Sequence, residues 1–82
     1  MSIEQVPTSL RELLADIFEI SPERVTPELS MEKVDNWDSF RHLQAILAVE
    51  GEYAVQFDPM RIPELTSVAL LHADLIKKGA AL

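Results

Sequence analysis

The chain has 82 residues, with 7 basic and 14 acidic side chains and a net charge of −7 at pH 7. This length fits one small domain, and the negative charge argues against nucleic-acid binding through phosphates and against anionic membrane surfaces. The lack of cysteine excludes a disulfide framework and a thiolate metal site. Acidity favours protein partners with basic patches, although it also serves solubility alone.

The sequence carries no sign of export or membrane insertion. No N-terminal run has the order of a signal peptide, and no apolar stretch reaches the roughly 20 residues that span a bilayer. We therefore expect a cytoplasmic protein without a membrane span. Residues 1–7 are predicted to form a loose terminus.

A first amphipathic helix is predicted from about Ser9 to Ile20. Ser9 and Glu12 have the spacing of a capping box. Apolar residues then recur at the intervals of one helical face, namely Leu10, Leu13, Leu14, Ile17 and Phe18. This face is expected to pack in the core.

A long loop follows, because Ser21-Pro22 ends the helix and starts only a brief turn. Residues 21–37 show no sustained period, and Pro27 interrupts them. Loops of this length are unusual in a small domain. Scattered apolar side chains predict that this one folds back onto the core, namely Val25, Leu29, Met31 and Val34.

The second helix is predicted from Asp38 or Ser39 to about Tyr53. We expect its apolar side to contain Phe40, Leu43, Ile46, Leu47 and Val49. If Asp38 is the N-cap, the hydroxyl of Ser39 is not needed for capping and faces solvent, since Phe40 is the first residue expected to point inward. Such a hydroxyl tolerates a phosphate, because free amides and the helix dipole favour negative charge. The plain alternative is that Asp-Ser only caps the helix.

The rest of the chain predicts one short and one longer helix. Asp58-Pro59 opens a short, irregular helix before Leu65, and Thr66 or Ser67 caps a final helix that runs to about Lys78. The inner face of the final helix contains Val68, Leu71 and Leu75. No segment alternates long enough to form a strand. The prediction is an all-α domain over 1–82, with a core of about 9–78.

This order of elements resembles the acyl carrier protein family. The resemblance covers the chain from about Leu10 to Ile76 and is strongest from Asp38-Ser39-Phe40 to Glu52-Tyr53. It continues without a gap to Thr66 and Val68. It implies a small four-helix bundle of the acyl-carrier type, with three main helices, a short third helix and a long first loop.

The resemblance also implies a function. Ser39 would be esterified with phosphopantetheine by a phosphopantetheinyl transferase, with Asp38 in support. The arm would hold an acyl or aminoacyl group as a thioester and present it to acyl-activating, condensing or acyl-transfer enzymes. The protein would be a monomeric carrier and not an enzyme. Candidates for an acyl pocket, unless they serve only as core, are Leu43, Ile46, Leu47, Ile62 and Val68.

Several positions depart from the family pattern. Asn36 stands where glycine is usual, and the turn there is expected to survive because asparagine tolerates left-handed backbone conformations better than most residues. Trp37 replaces a small residue and either packs over the loop or contacts partners. Acids usual in the helix after the serine give way to Arg41 and His42. These differences predict a specialised carrier rather than one for bulk fatty-acid synthesis, with partner-contact candidates Trp37, Arg41, His42, Glu50 and Glu52.

Three other functions are compatible with parts of the sequence. The main one is a small acidic helical interaction domain without a prosthetic group. A catalytic serine is disfavoured, because His42 and Ser39 on one exposed turn provide neither an orienting third group nor an oxyanion hole. A metal site is not expected, since His42 and His72 are the only histidines and no ligand spacing is present.

Overall fold

The computed structural model describes residues 6–80, and within them the fold is all-α. Its helices are α1 (Thr8–Phe18), α2 (Ser39–Tyr53) and α3 (Val68–Lys77). Single 3-10 turns span Pro22–Arg24, Met31–Lys33 and Ile62–Glu64. The short third helix predicted from the sequence is the last of these turns, which contains Pro63 and so cannot extend as an α-helix. No helix in this part of the chain is long and apolar enough to cross a membrane.

The ends of α1 differ from the prediction. Pro7 is the N-cap and no side chain caps this helix, so the expected capping box is wrong. Ser9 is the second residue of the helix and not its cap. Its hydroxyl lies 2.6 Å from the Tyr53 hydroxyl at the end of α2, so its hydrogen-bond partner is in another helix. The helix ends at Phe18, before the predicted Ile20, since Glu19 takes a left-handed conformation with φ of 57°.

The terminus before α1 is in part structured. Val6 is buried in the hydrophobic core, so the predicted loose segment does not extend that far along the chain. The remainder of that prediction, residues 1–5, lies outside the described residues.

The first loop is folded onto the core, as the sequence predicts. Val25, Leu29 and Val34 are buried, while Met31 packs against the core from its edge. Backbone hydrogen bonds fix the loop to the start of α3, from Met31 N to Thr66 O (2.9 Å) and from Val68 N to Leu29 O (2.9 Å). The loop thus satisfies part of its backbone and keeps a defined path to Ser39.

The core joins the inner faces of the three helices. The predicted inner face of α3 is confirmed, because Val68, Leu71 and Leu75 are fully buried. Ser67 caps this helix through its hydroxyl, which accepts from Leu70 N at 3.2 Å, and Gly79 follows it with φ of 75°. The buried apolar residues of α1 and α2 are Leu10, Leu14, Ala15, Phe18, Ala45, Ile46 and Val49.

The predicted inner side of α2 is partly wrong. Phe40, Leu43 and Leu47 are 71%, 50% and 61% exposed, so Phe40 does not point inward. The buried face of α2 begins at the polar His42 and continues at helical spacing. It contains His42, Ala45, Ile46 and Val49. The helix therefore carries two apolar stripes, and the larger side chains lie on the outer one.

Candidate functional site

Ser39 is the first residue of α2, and its side chain is exposed. Asp38 precedes it in an extended conformation and is the N-cap, as predicted. Its Oδ1 accepts a hydrogen bond from Arg41 N at 2.9 Å. Because Asp38 caps the helix, the hydroxyl of Ser39 is not required for that purpose and is presented to solvent.

The helix terminus gives this hydroxyl an environment suited to a phosphate ester. The first intrahelical hydrogen bond runs from His42 N to Asp38 O (2.8 Å), so the amides of Ser39 and Phe40 precede it. These amides and the dipole of a 15-residue helix favour negative charge by about 0.3–1 kcal/mol. The residues present therefore fit a phosphate on the Ser39 oxygen.

Trp37 packs in the core and is not a partner contact. Its side chain is 2% exposed, and its ring stacks on Phe18 at a centroid distance of 4.4 Å. Its indole Nε1 donates a hydrogen bond to His42 Nδ1 at 3.0 Å. Of the two roles that the sequence leaves open, packing over the loop is the one that the structure shows.

His42 is also buried, which corrects its prediction as a surface residue. Its side chain is 6% exposed, and its Nε2 lies 2.7 Å from the carbonyl oxygen of Ile62. Both ring nitrogens therefore have partners inside the protein, and neither partner is Ser39. This geometry removes His42 from the partner surface and gives no support to a serine–histidine catalytic pair.

Asn36 and Arg41 bind the end of α1. The Asn36 side-chain amide donates to the Phe18 carbonyl at 2.8 Å. The expected turn is present, closed by a hydrogen bond from Trp37 N to Val34 O at 3.0 Å, and it forms without a positive φ at Asn36. The guanidinium of Arg41 donates to the Ile17 carbonyl and lies 3.5 Å from the Glu19 carboxylate. These two side chains satisfy carbonyl groups that the last turn of a helix leaves unpaired.

The acids at the end of α2 differ in their surroundings. Glu50 accepts a hydrogen bond from Phe57 N at 2.8 Å and thereby holds the segment that follows the helix. Glu52 is exposed. Of the predicted partner contacts, Glu52 is the one that is exposed and whose side chain forms no hydrogen bond or ion pair within residues 6–80.

The five acyl-pocket candidates do not share one surface. Ile46 and Val68 are buried in the core, and Ile62 is half-buried beside them in the fold. Leu43 and Leu47 lie on the exposed side of α2, outside the core. The sequence missed this division because it assigned all apolar residues of α2 to one face.

Comparison with known proteins agrees with this geometry. No protein-family model matches the chain. The acyl carrier protein of Thermosynechococcus vestitus is 28% identical over 68 residues, which cover 83% of this chain and 84% of that protein. The solution NMR structure of the holo acyl carrier protein from Geobacter metallireducens has a TM-score of 0.76 at 27% identity, covering 85% of this chain and 80% of that one. The chain is therefore similar to acyl carrier proteins in both sequence and fold.

This similarity supports a carrier role rather than a catalytic one. It also gives the departures from the family pattern a new meaning. Asn36, Trp37, Arg41 and His42 all form contacts within the chain, around the turn that presents Ser39. They are internal supports of the fold around Ser39.

We predict that Asp38→Ala destabilises the protein by about 0.5–2 kcal/mol, because the amide of Arg41 loses its cap. Asp38→Asn should retain most of the stability, since its side-chain oxygen also accepts this bond. Urea unfolding of the two variants checks this, with Asp35→Ala as the matched control for an exposed acid. Equal midpoints for Asp38→Ala and Asp35→Ala would show that the cap contributes nothing.

Proposed function

We propose that the protein carries an acyl or aminoacyl group on a phosphopantetheine arm esterified to Ser39. The observation that supports this most directly is the exposed hydroxyl at the first position of α2, next to a carboxylate that already caps the helix. When bound, the arm supplies a terminal thiol that holds its cargo as a thioester. We expect the carrier to act as a cytoplasmic monomer.

Asp38 has a supporting role in this proposal. Its carboxylate is fixed by Arg41 N, which holds the backbone of Ser39 in the first helical turn. A phosphopantetheinyl transferase that approaches the hydroxyl therefore meets a preorganised turn. Preorganisation reduces the entropy that must be lost when the reacting groups are brought together.

We further propose that partner enzymes dock on the outer face of α2. This carrier face consists of exposed residues at helical spacing that begin beside Ser39, namely Phe40, Leu43, Gln44 and Leu47. None of them is charged. The neighbouring Arg41 is paired with Glu19, so its charge is largely balanced within the chain. Docking here depends on apolar contact more than on ion pairs.

The carrier face supports a specialised set of partners. The resemblance implies that carriers for bulk fatty-acid synthesis present acids on this helix to basic patches of their enzymes. Here the exposed face of the first turns of α2 carries Phe40, Leu43, Gln44 and Leu47 instead, and the nearby Arg41 is paired with Glu19. Acyl-activating, condensing or acyl-transfer enzymes that serve this carrier are therefore expected to offer an apolar socket.

For shelter of the acyl chain, we retain Ile46, Ile62 and Val68 as candidates. Because Ile46 and Val68 are buried in the packed core, an acyl chain can reach them only when α2 and the Ile62–Glu64 turn separate. Leu43 and Leu47 are assigned instead to the carrier face.

An interaction domain without a prosthetic group is the second candidate function. It is favoured by one observation, the exposed apolar stripe of α2, which suits a protein partner with or without an arm. The two functions differ in whether Ser39 accepts phosphopantetheine.

We predict that incubation with coenzyme A and a broad-specificity phosphopantetheinyl transferase adds one phosphopantetheine to the wild type. Ser39→Ala should fold normally and receive none, because the acceptor hydroxyl is absent. Intact-mass spectrometry measures both, and Ser21→Ala, which alters an exposed loop serine, should be modified like the wild type. An unmodified wild type, under conditions that modify another carrier, would favour the interaction domain.

We predict that docking at the carrier face responds weakly to salt. The KM for transfer of the arm should change less than about threefold between roughly 0.05 and 0.5 M NaCl, since apolar contacts are not screened. Leu47→Ala should raise KM about tenfold through lost apolar burial. The exposed Leu70→Ala on α3 is the matched control and should leave KM unchanged.

Two outcomes would contradict the specialised role. A steep rise of KM with salt would indicate ionic docking. Loading and elongation by bulk fatty-acid synthesis enzymes, at the rates of their own carrier, would show that the partner set is the ordinary one.

A further inference from the structure

Two consecutive hydrogen bonds, one buried and one partly buried, join residues on either side of Ser39. They run from the indole of Trp37 through the imidazole of His42 to the carbonyl of Ile62, with distances of 3.0 and 2.7 Å. We call this arrangement the Trp37–His42–Ile62 relay. Its central ring is 6% exposed, so solvent offers little substitute for either hydrogen bond.

The donor chemistry fixes the protonation state of His42 in the relay. An indole Nε1 donates a hydrogen bond and cannot accept one. The Nδ1 of His42 must therefore be the acceptor and carry no hydrogen. The proton lies on Nε2, which donates to the Ile62 carbonyl. The relay is complete only with a neutral imidazole in this one tautomer.

The relay connects the three segments that surround the Ser39 turn. Trp37 lies two residues before Ser39 and stacks on Phe18 at the end of α1. His42 lies three residues after Ser39, in the first turn of α2. Ile62 begins the 3-10 turn that precedes α3. Within residues 6–80, the His42 imidazole is the only side chain with hydrogen bonds both to the segment before α2, at Trp37, and to the segment before α3, at Ile62.

We propose that His42 is a positioning residue for the Ser39 turn, and that protonation of its imidazole releases Trp37 and the Ile62–Glu64 turn. An imidazolium carries hydrogens on both nitrogens. Two donors, Trp37 Nε1 and His42 Nδ1, would then face each other across 3.0 Å in a buried site. Protonation of His42 therefore breaks the relay. The consequence for transfer of the arm rests on the proposed function, whereas the release itself does not.

The charged side chains of the segments next to the relay have partners other than His42. On α2, the carboxylate of Asp38 caps the helix and Arg41 pairs with Glu19 of the α1 end. Beside Ile62, Arg61 pairs with Glu64 and Asp74. None of the ion pairs in the described part of the chain includes His42. The partners of the ring are an indole and a carbonyl, both neutral.

The test uses Trp37, which is the only tryptophan in the chain. We would follow its emission and the NMR signal of its indole N–H, together with the ring protons of His42, from about pH 8 to about pH 5. The expected result is one transition of Trp37 that coincides with protonation of His42. An unchanged Trp37 signal while His42 titrates would overturn the proposal, and this arm of the test needs no variant.

Variants separate His42 from the other titrating groups. His42→Gln keeps a neutral acceptor and donor and should abolish the transition while Trp37 stays buried. His72→Gln, at the other buried histidine, is the matched control and should leave the transition in place. Persistence of the transition in a folded His42→Gln variant would also overturn the proposal.

Kinetics of arm transfer test the positioning role. The ratio of kcat/KM for the wild type to that for His42→Gln cancels the pH response of the transferase itself. We expect this ratio to fall about tenfold from pH 8 to pH 5, as the Ser39 turn loses its support. A constant ratio would show that His42 does not position Ser39. Failure of the wild type to accept an arm at any pH, with the Trp37 transition intact, would instead refute the proposed function alone.

Discussion

The stacking of Trp37 on Phe18 is the contact on which the presentation of Ser39 depends. A long loop separates α1 from α2, and its last turn is closed by a hydrogen bond from Trp37 N to Val34 O. The indole, buried against the end of α1, fixes the chain two residues before the serine. Asn36 and Arg41 then bind the Phe18 and Ile17 carbonyls from either side of that turn. The exposed hydroxyl is thus held by a buried scaffold, which limits the entropy lost when an enzyme engages it.

The buried and exposed faces of α2 both depend on the placement of one polar residue, His42. Because the polar His42 occupies the inner face, where Trp37 and Ile62 satisfy both its nitrogens, the apolar Phe40, Leu43 and Leu47 are left on the outer face. The rotation of α2 that buries the histidine therefore also exposes the apolar stripe. In an acidic protein, this stripe forms an uncharged apolar surface beside Ser39.

The features that depend on local sequence could be predicted, and those that depend on distant partners could not. The Asp38 cap, the place of Ser39 at the start of α2 and the inner face of α3 follow from residues within one or two turns, and the structure has them. Burial of His42 required an indole N–H donor and a carbonyl acceptor 20 residues away, which no helical period reveals. The capping role assigned to Ser9 failed for the same reason, since Tyr53 lies 44 positions along the chain.

The central claim is that Ser39 bears the arm, and the chain allows it to be tested at a single residue. Cleavage after Lys33 and Arg41 by trypsin releases residues 34–41, in which Ser39 is the only hydroxyl-bearing side chain. We would modify the wild type with a phosphopantetheinyl transferase, digest it and sequence the peptides by tandem mass spectrometry. The account predicts phosphopantetheine on peptide 34–41. Phosphopantetheine on any other peptide, with 34–41 unmodified, would contradict it.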